Sequence, residues 1–185
     1  MTFKKRIQTG LDFETELFQK LSDIGFKIAM NGTEHTHPEF VDGLRNSTDQ
    51  TSLSLRFQPD GVISIGKIPR SVFIEAKASK AIEKLAYIQY LKLKEMGSIV
   101  VVVFKVFGNG WCFIEDMPII DGNKTVESFP EGRRFPVEDG WIVPRKCNRK
   151  PKNGSGTPYR EINSFNLNDW CDFKKIIIEK LMSNF

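Results

Sequence analysis

The run Ser71-Val-Phe-Ile-Glu-Ala-Lys-Ala constrains the fold more than any other stretch of the chain. Val72, Ile74 and Ala76 alternate with Phe73, Glu75 and Lys77, a period of two that specifies a β-strand. One face of that strand is apolar and the other carries two unlike charges. A core strand rarely turns a charged pair inward, because taking charge out of water costs several kcal/mol unless a partner or a metal compensates. Just upstream, Pro59-Asp60-Gly61-Val-Ile-Ser-Ile puts a third charge at the mouth of a second strand. If the two strands pair as a hairpin-like unit, Asp60, Glu75 and Lys77 converge at one end of a sheet. Two carboxylates and an amine there suit a hard cation such as Mg²⁺ with a positioned water.

The flanking segments supply the rest of an α/β domain. Leu11 to Ile24 has helical spacing, with Phe13, Leu17, Phe18, Leu21 and Ile24 as its apolar stripe and Gly25 as its C-cap, while Lys4, Lys5 and Arg6 read as a basic tail leading to Gly10. Glu14 lies on or beside that stripe, either as an acid in the first helical turn or as a functional charge. Phe26 to Arg56 reads as a long polar connection, partly ordered by a short helix near Pro38 to Arg45, in which His35, His37 and Glu39 are solvated or act on substrate or a second metal. Lys80 to Met96 reads as a second helix whose apolar side carries Ile82, Leu85, Ile88 and Met96. Gln89 shares that side, either packed or placed to hydrogen-bond a phosphate or a water; Tyr87 and Tyr90 adjoin it. Ile99-Val-Val-Val-Val-Phe is a continuous β-branched run, as expected of a central strand, and Gly108-Asn-Gly turns it into Trp111-Cys-Phe-Ile. The expected architecture is α/β, with a mixed sheet flanked by helices.

Pro59-Asp60, fourteen intervening residues and then Glu75-Ala76-Lys77 is similar to the PD-(D/E)xK nuclease motif. The resemblance runs from about Gly10 to Val106 and implies a restriction-endonuclease-like core. Gly10, Glu14, Leu21 and Gly25 further resemble the first-helix pattern of Holliday-junction resolvases, Gly-x₃-Glu-x₆-Leu-x₃-Gly. What the resemblance implies is a Mg²⁺-dependent DNA endonuclease, with Mn²⁺ able to substitute and Ca²⁺ binding without turnover. Asp60, Glu75 and the carbonyl of Ala76 would hold the metal, Glu14 a second ion or its water shell, and Lys77 would orient or deprotonate the attacking water; Gln89 would assist. A resolvase would act as a homodimer on branched DNA. The long segment from Met30 to Arg56 and the basic C-terminal third suit instead a nuclease of a phage, restriction system or mobile intron. The alternative is a DNA-binding module that keeps the fold without activity.

Charge is uneven along the chain. Of 27 lysines and arginines against 23 acids, the stretch from Arg133 to Arg160 holds Arg133, Arg134, Arg145, Lys146, Arg149, Lys150, Lys152 and Arg160 against Glu138 and Asp139. That favours a polyanionic partner. Met117 to Phe165 lacks periodicity and is either a linker or a DNA-gripping arm, with Trp111, Trp141 and Tyr159 as aromatics near it. Residues 1–116 therefore read as the core and 117–185 as a basic extension. A final helix capped by Asn168, with Trp170, Phe173, Ile177 and Leu181 as its stripe, packs on that core or on a second copy, so that the whole is one domain. No apolar run or leader suggests a membrane or secretion, and the three cysteines, Cys112, Cys147 and Cys171, suit a reducing, cytoplasmic setting. No CxxC pair or His-x₃₋₅-His spacing supports a zinc site.

Overall fold

The computed structural model describes residues 3–36, 38–44, 47, 49–120, 137–143 and 157–183. Five strands form a mixed sheet in the order β1-β2-β3-β5-β6, where β1 is Lys27–Met30, β2 Gly61–Ser64, β3 Val72–Lys77, β5 Ile99–Phe104 and β6 Gly110–Phe113. Among the described strands only β3 and β5 run parallel, from Val72 beside Ile99 to Lys77 beside Phe104. A parallel pair needs a crossover, and helix α5, Lys84–Glu95, provides it. A smaller sheet pairs β4, Ala81–Glu83, with β9, Tyr159–Glu161, followed by β8, Trp141–Ile142, and β7, Val137–Glu138.

Both faces of the five-stranded sheet are covered, and for that reason all six residues of β5 are buried. On one face Val72, Ile74, Val101 and Val103 pack against Phe13, Leu17 and Leu21 of helix α1, Phe3–Asp23, and against Phe173, Ile177 and Leu181 of helix α6, Phe173–Met182. Val100, Val102, Phe104 and Cys112 form the other face, with Ala86 and Tyr90 of α5, Ile82 of β4 and Phe57 above them. No helix among the described residues is long and apolar enough to cross a membrane.

Cys112, sealed beneath this second core, has its thiol pushed up to about 12 by burial, with Asp116 and Glu115 adding to the shift. Cys171 is exposed. In a Cys147→Ser background, a thiol reagent at pH 8 should label Cys171 rapidly and Cys112 only on unfolding, as read by peptide mass mapping. Equal rates at the two would mean that the β6 face is open.

Several sequence expectations need correction. Helix α1 starts at Phe3, eight residues before the expected Leu11, because Lys4 to Gln8 are competent helix formers and Gly10 interrupts them at a cost of only about 1 kcal/mol. Glu14 is therefore well inside α1, which removes its reading as an acid of the first turn. The connection after Phe26 has the expected short helical stretch, a 3-10 turn at Pro38–Phe40 running into α3 at Val41–Leu44, but it also contains β1, α2 at Thr33–Thr36 and α4 at Gln50–Arg56. The expected single helix from Lys80 is β4 followed by α5: Ile82 belongs to a strand, and Met96 is solvent-exposed rather than on an apolar side. Strands β7 to β9 occupy a stretch read as aperiodic. At the C-terminus the residue whose side chain caps the first turn is Asp169, whose carboxylate accepts the Trp170 N–H at 3.0 Å. Asn168 instead bridges Trp111 through its backbone.

Candidate active site

Asp60 owes its position to the way β2 begins. Pro59 has no N–H to extend the ladder with β3, so pairing starts at Gly61, which lies opposite Ile74. The N–H of Ala76, two residues past the last paired one, is left without a β2 carbonyl, and Asp60 Oδ2 accepts it at 2.7 Å. From the other side the Asp60 carbonyl accepts the N–H groups of Asn31 at 2.9 Å and Gly32 at 3.2 Å, and Asn31 Nδ2 donates to the Pro59 carbonyl at 3.3 Å. The Pro-Asp turn is thus fixed by β3 on one flank and by the end of β1 on the other.

Gly61 completes this arrangement. Phe18 of α1 lies across it, so that a Cβ there would come within 2.7 Å of the Phe18 ring. Gly61→Ala should cost about 1–3 kcal/mol by forcing that ring aside, and the shift would reach Asp60 next to it. A thermal melt checks this, and an unchanged melting temperature would mean that Phe18 yields freely.

Continuing the register of Gly61 and Ile74 puts Asp60 level with Glu75. Both are buried, and so is Glu14. Lys77 pairs with Glu75 Oε1, and Tyr90 is buried where the charge of Glu75 acts on its hydroxyl. Among the described residues, buried Glu75 Oε2 has no hydrogen-bond partner. A carboxylate oxygen left bare inside a protein is costly, and it marks a place that a cation or a bound water would satisfy.

Charge is unbalanced in the same direction. Burial pushes the Asp60 carboxyl well above the ordinary range, and the nearby charges of Glu75 and then Glu14 push it further, outweighing Lys77 and the Ala76 N–H. Burial opposes the charge on Lys77, but Glu75 and Asp60 more than offset it and hold the amine above its ordinary value. Lys77 is therefore an ammonium at neutral pH in this arrangement, suited to orienting a group rather than to removing a proton. Burial, followed by the charges of Glu75 and Asp60, pushes the Tyr90 hydroxyl far above its usual range, so it stays a neutral donor.

Among the described residues no three Asp, Glu, His or Cys side chains are grouped tightly enough to hold an ion by themselves. Mg²⁺ does not demand that; it commonly takes one or two carboxylates and completes its shell with water and substrate phosphate. Asp60, Glu75 and the Ala76 carbonyl fit that mode, and the bare Glu75 Oε2 and the excess of acid over base agree with it.

The structure gathers Glu14, Asp60, Glu75 and Lys77 at one end of the sheet. Gln89 is buried nearby on α5 and accepts from Gln50 Nε2 at 3.1 Å. Tyr90 is a member of the site that the sequence reading left undecided. No local pattern singles it out from Tyr87, because helical positions three apart are neighbours. Glu83, whose charge acts on both Lys77 and Tyr90, was missed altogether. Arg133, Arg134, Arg145, Lys146, Arg149, Lys150 and Lys152 lie outside the described residues, as do His37 and the side chain of His35.

No protein-family model matches the chain, and no curated protein matches it. Among solved structures, a 1.6 Å structure of Hjc, a Holliday junction resolvase from the archaeal hyperthermophile Archaeoglobus fulgidus, is similar over 58% of this chain and 75% of its own, at 19% identity and a TM-score of 0.37.

Proposed function

We propose that the chain is a metal-dependent DNA endonuclease whose active centre is Asp60, Glu75 and Lys77, supported by Glu14 and Tyr90. The observation that carries this reading is the bare Glu75 Oε2 beside a carboxylate whose charge is already disfavoured by burial and then by Glu75 and Glu14. Asp60, Glu75 and the Ala76 carbonyl would hold Mg²⁺ or Mn²⁺, and Glu14 would act through the water shell. A bound ion supplies charge stabilisation at the phosphate and lowers the pKa of its water. The chain's own part is to fix these oxygens before substrate arrives. Asp60 is locked by the Ala76 N–H, Glu75 is paired with Lys77, and the Lys77 ammonium directs a donor toward an attacking water or a phosphate oxygen. DNA is the proposed substrate, gripped by the basic stretch between Arg133 and Arg160, and a homodimer acting on branched DNA is one form this activity takes.

Lys77→Gln tests the division of labour, since an amide still donates to Glu75 but carries no charge. Cleavage of labelled four-way junction, linear duplex and single-stranded DNA with Mg²⁺ should fall about 10²-fold or more, while affinity measured by gel shift stays nearly constant because phosphate contacts elsewhere supply it. An equal loss of both would contradict the assignment.

A further inference from the structure

A cleft of about 560 Å³ adjoins the site, and Phe57, Phe73, Gln50, Gln58, Gln89 and Lys92 are among the residues that line it. Pro59 also lines it, which places the cleft one residue from Asp60. One further element ties it to the same centre: Phe73 lies two residues before Glu75 on β3, hence on the same face.

We propose that this cleft receives one unpaired nucleobase from the nucleotide next to the phosphate held at Asp60 and Glu75. The proposal rests on the nuclease reading of the adjoining site. The cleft's volume falls within the range of roughly 300–1,000 Å³ typical of small-ligand sites, and its lining combines aromatic rings with amides, the side chains that stack a base and read its edge. The polar groups are already linked in a relay: Lys92 Nζ donates to Gln50 Oε1 at 2.9 Å, and Gln50 Nε2 donates to Gln89 Oε1 at 3.1 Å and to Ser54 Oγ at 3.3 Å. Because the Gln89 carbonyl is engaged, its amide NH₂ is the half available to a ligand, and with the Lys92 ammonium it presents donors to a base carbonyl or ring nitrogen. A base stacked within a duplex cannot enter such a cleft, so the inference selects DNA carrying an unpaired nucleotide beside the scissile phosphate.

The test uses the full chain in EDTA, so that binding is read apart from cleavage, with three duplexes that differ at one position: a bulged 2-aminopurine, a bulged abasic residue and no bulge. The bulged base should bind about tenfold more tightly than either other duplex, with the fluorescence change of a stacked 2-aminopurine. In a Gln50→Ala, Lys92→Ala variant that preference should fall to within twofold. Equal affinity for the base and the abasic bulge, or a preference that survives the double variant, overturns the pocket. If DNA is cut with Mg²⁺ while the preference is absent, the pocket alone fails; if the preference is present and no DNA is cut with any metal, the nuclease reading fails and the pocket stands.

Discussion

Asp60→Asn is expected to abolish Mg²⁺-dependent cleavage, by ~10³-fold or more, and at the same time to make the metal-free protein more stable. The activity loss follows from removing one of two carboxylates that would hold the ion, since a bound metal contributes several kcal/mol of charge stabilisation in the transition state. The gain in stability follows from the position of the wild-type carboxylate. Asparagine keeps an oxygen to accept the Ala76 N–H, yet it brings no charge into a buried site already occupied by Glu75 and Glu14. The pH dependence has a definite sign. A carboxyl raised above its ordinary range contributes fully below that range, and its contribution disappears as pH climbs through the folded-state value. The advantage of the variant should therefore be negligible near pH 3 and grow toward neutrality, reaching about 1–3 kcal/mol. For a chain of this size each kcal/mol is roughly 2–4 °C in melting temperature. Adding Mg²⁺ should raise the melting temperature of the wild type and leave the variant unmoved. A variant less stable than wild type at pH 7 without metal would contradict the electrostatic account of the site.

Trp111→Ala should destabilise the protein by about 3–5 kcal/mol, a large part of the ~5–15 kcal/mol of an ordinary domain. Trp111 is fully buried on β6, edge-on to Phe113 at 5.5 Å and to Phe173 at 5.0 Å. Its indole N–H donates to the Asp169 carbonyl at 2.9 Å, and its backbone bridges Asn168. One side chain therefore fastens α6 to the sheet, and Phe173 in turn packs on Phe26 at the end of α1, at 5.9 Å. Urea unfolding measures the cost. A loss below ~1 kcal/mol would mean that the C-terminal helix contributes little to the core on which the site is built.

What could be read from sequence was set by element length and by how cleanly each pattern declared its period. β3 was legible because Val72, Ile74 and Ala76 alternate with Phe73, Glu75 and Lys77, and that alternation brought the charged pair to light. Asp60 followed from the Pro-Asp turn. Lys27–Met30 was not legible, since a four-residue edge strand with no buried residue has no alternation to show. Ile82, Leu85 and Gln89 happen to fall at helical spacing across the junction of β4 and α5, so a strand was absorbed into a helix. β7, β8 and β9, at two to three residues each, are too short to carry any period. The anchoring of the Pro-Asp turn by Asn31 and Gly32 depends on chain segments 28 residues apart, and no local pattern announces it.

The most direct test of the nuclease assignment is cleavage of end-labelled four-way junction, linear duplex and bulged DNA by the wild type and by Asp60→Asn and Glu75→Gln, each with Mg²⁺ and with EDTA. The account predicts cuts by the wild type with Mg²⁺ alone, lost in both variants while each remains folded. Cleavage that persists in EDTA, or that either variant retains in full, would contradict it.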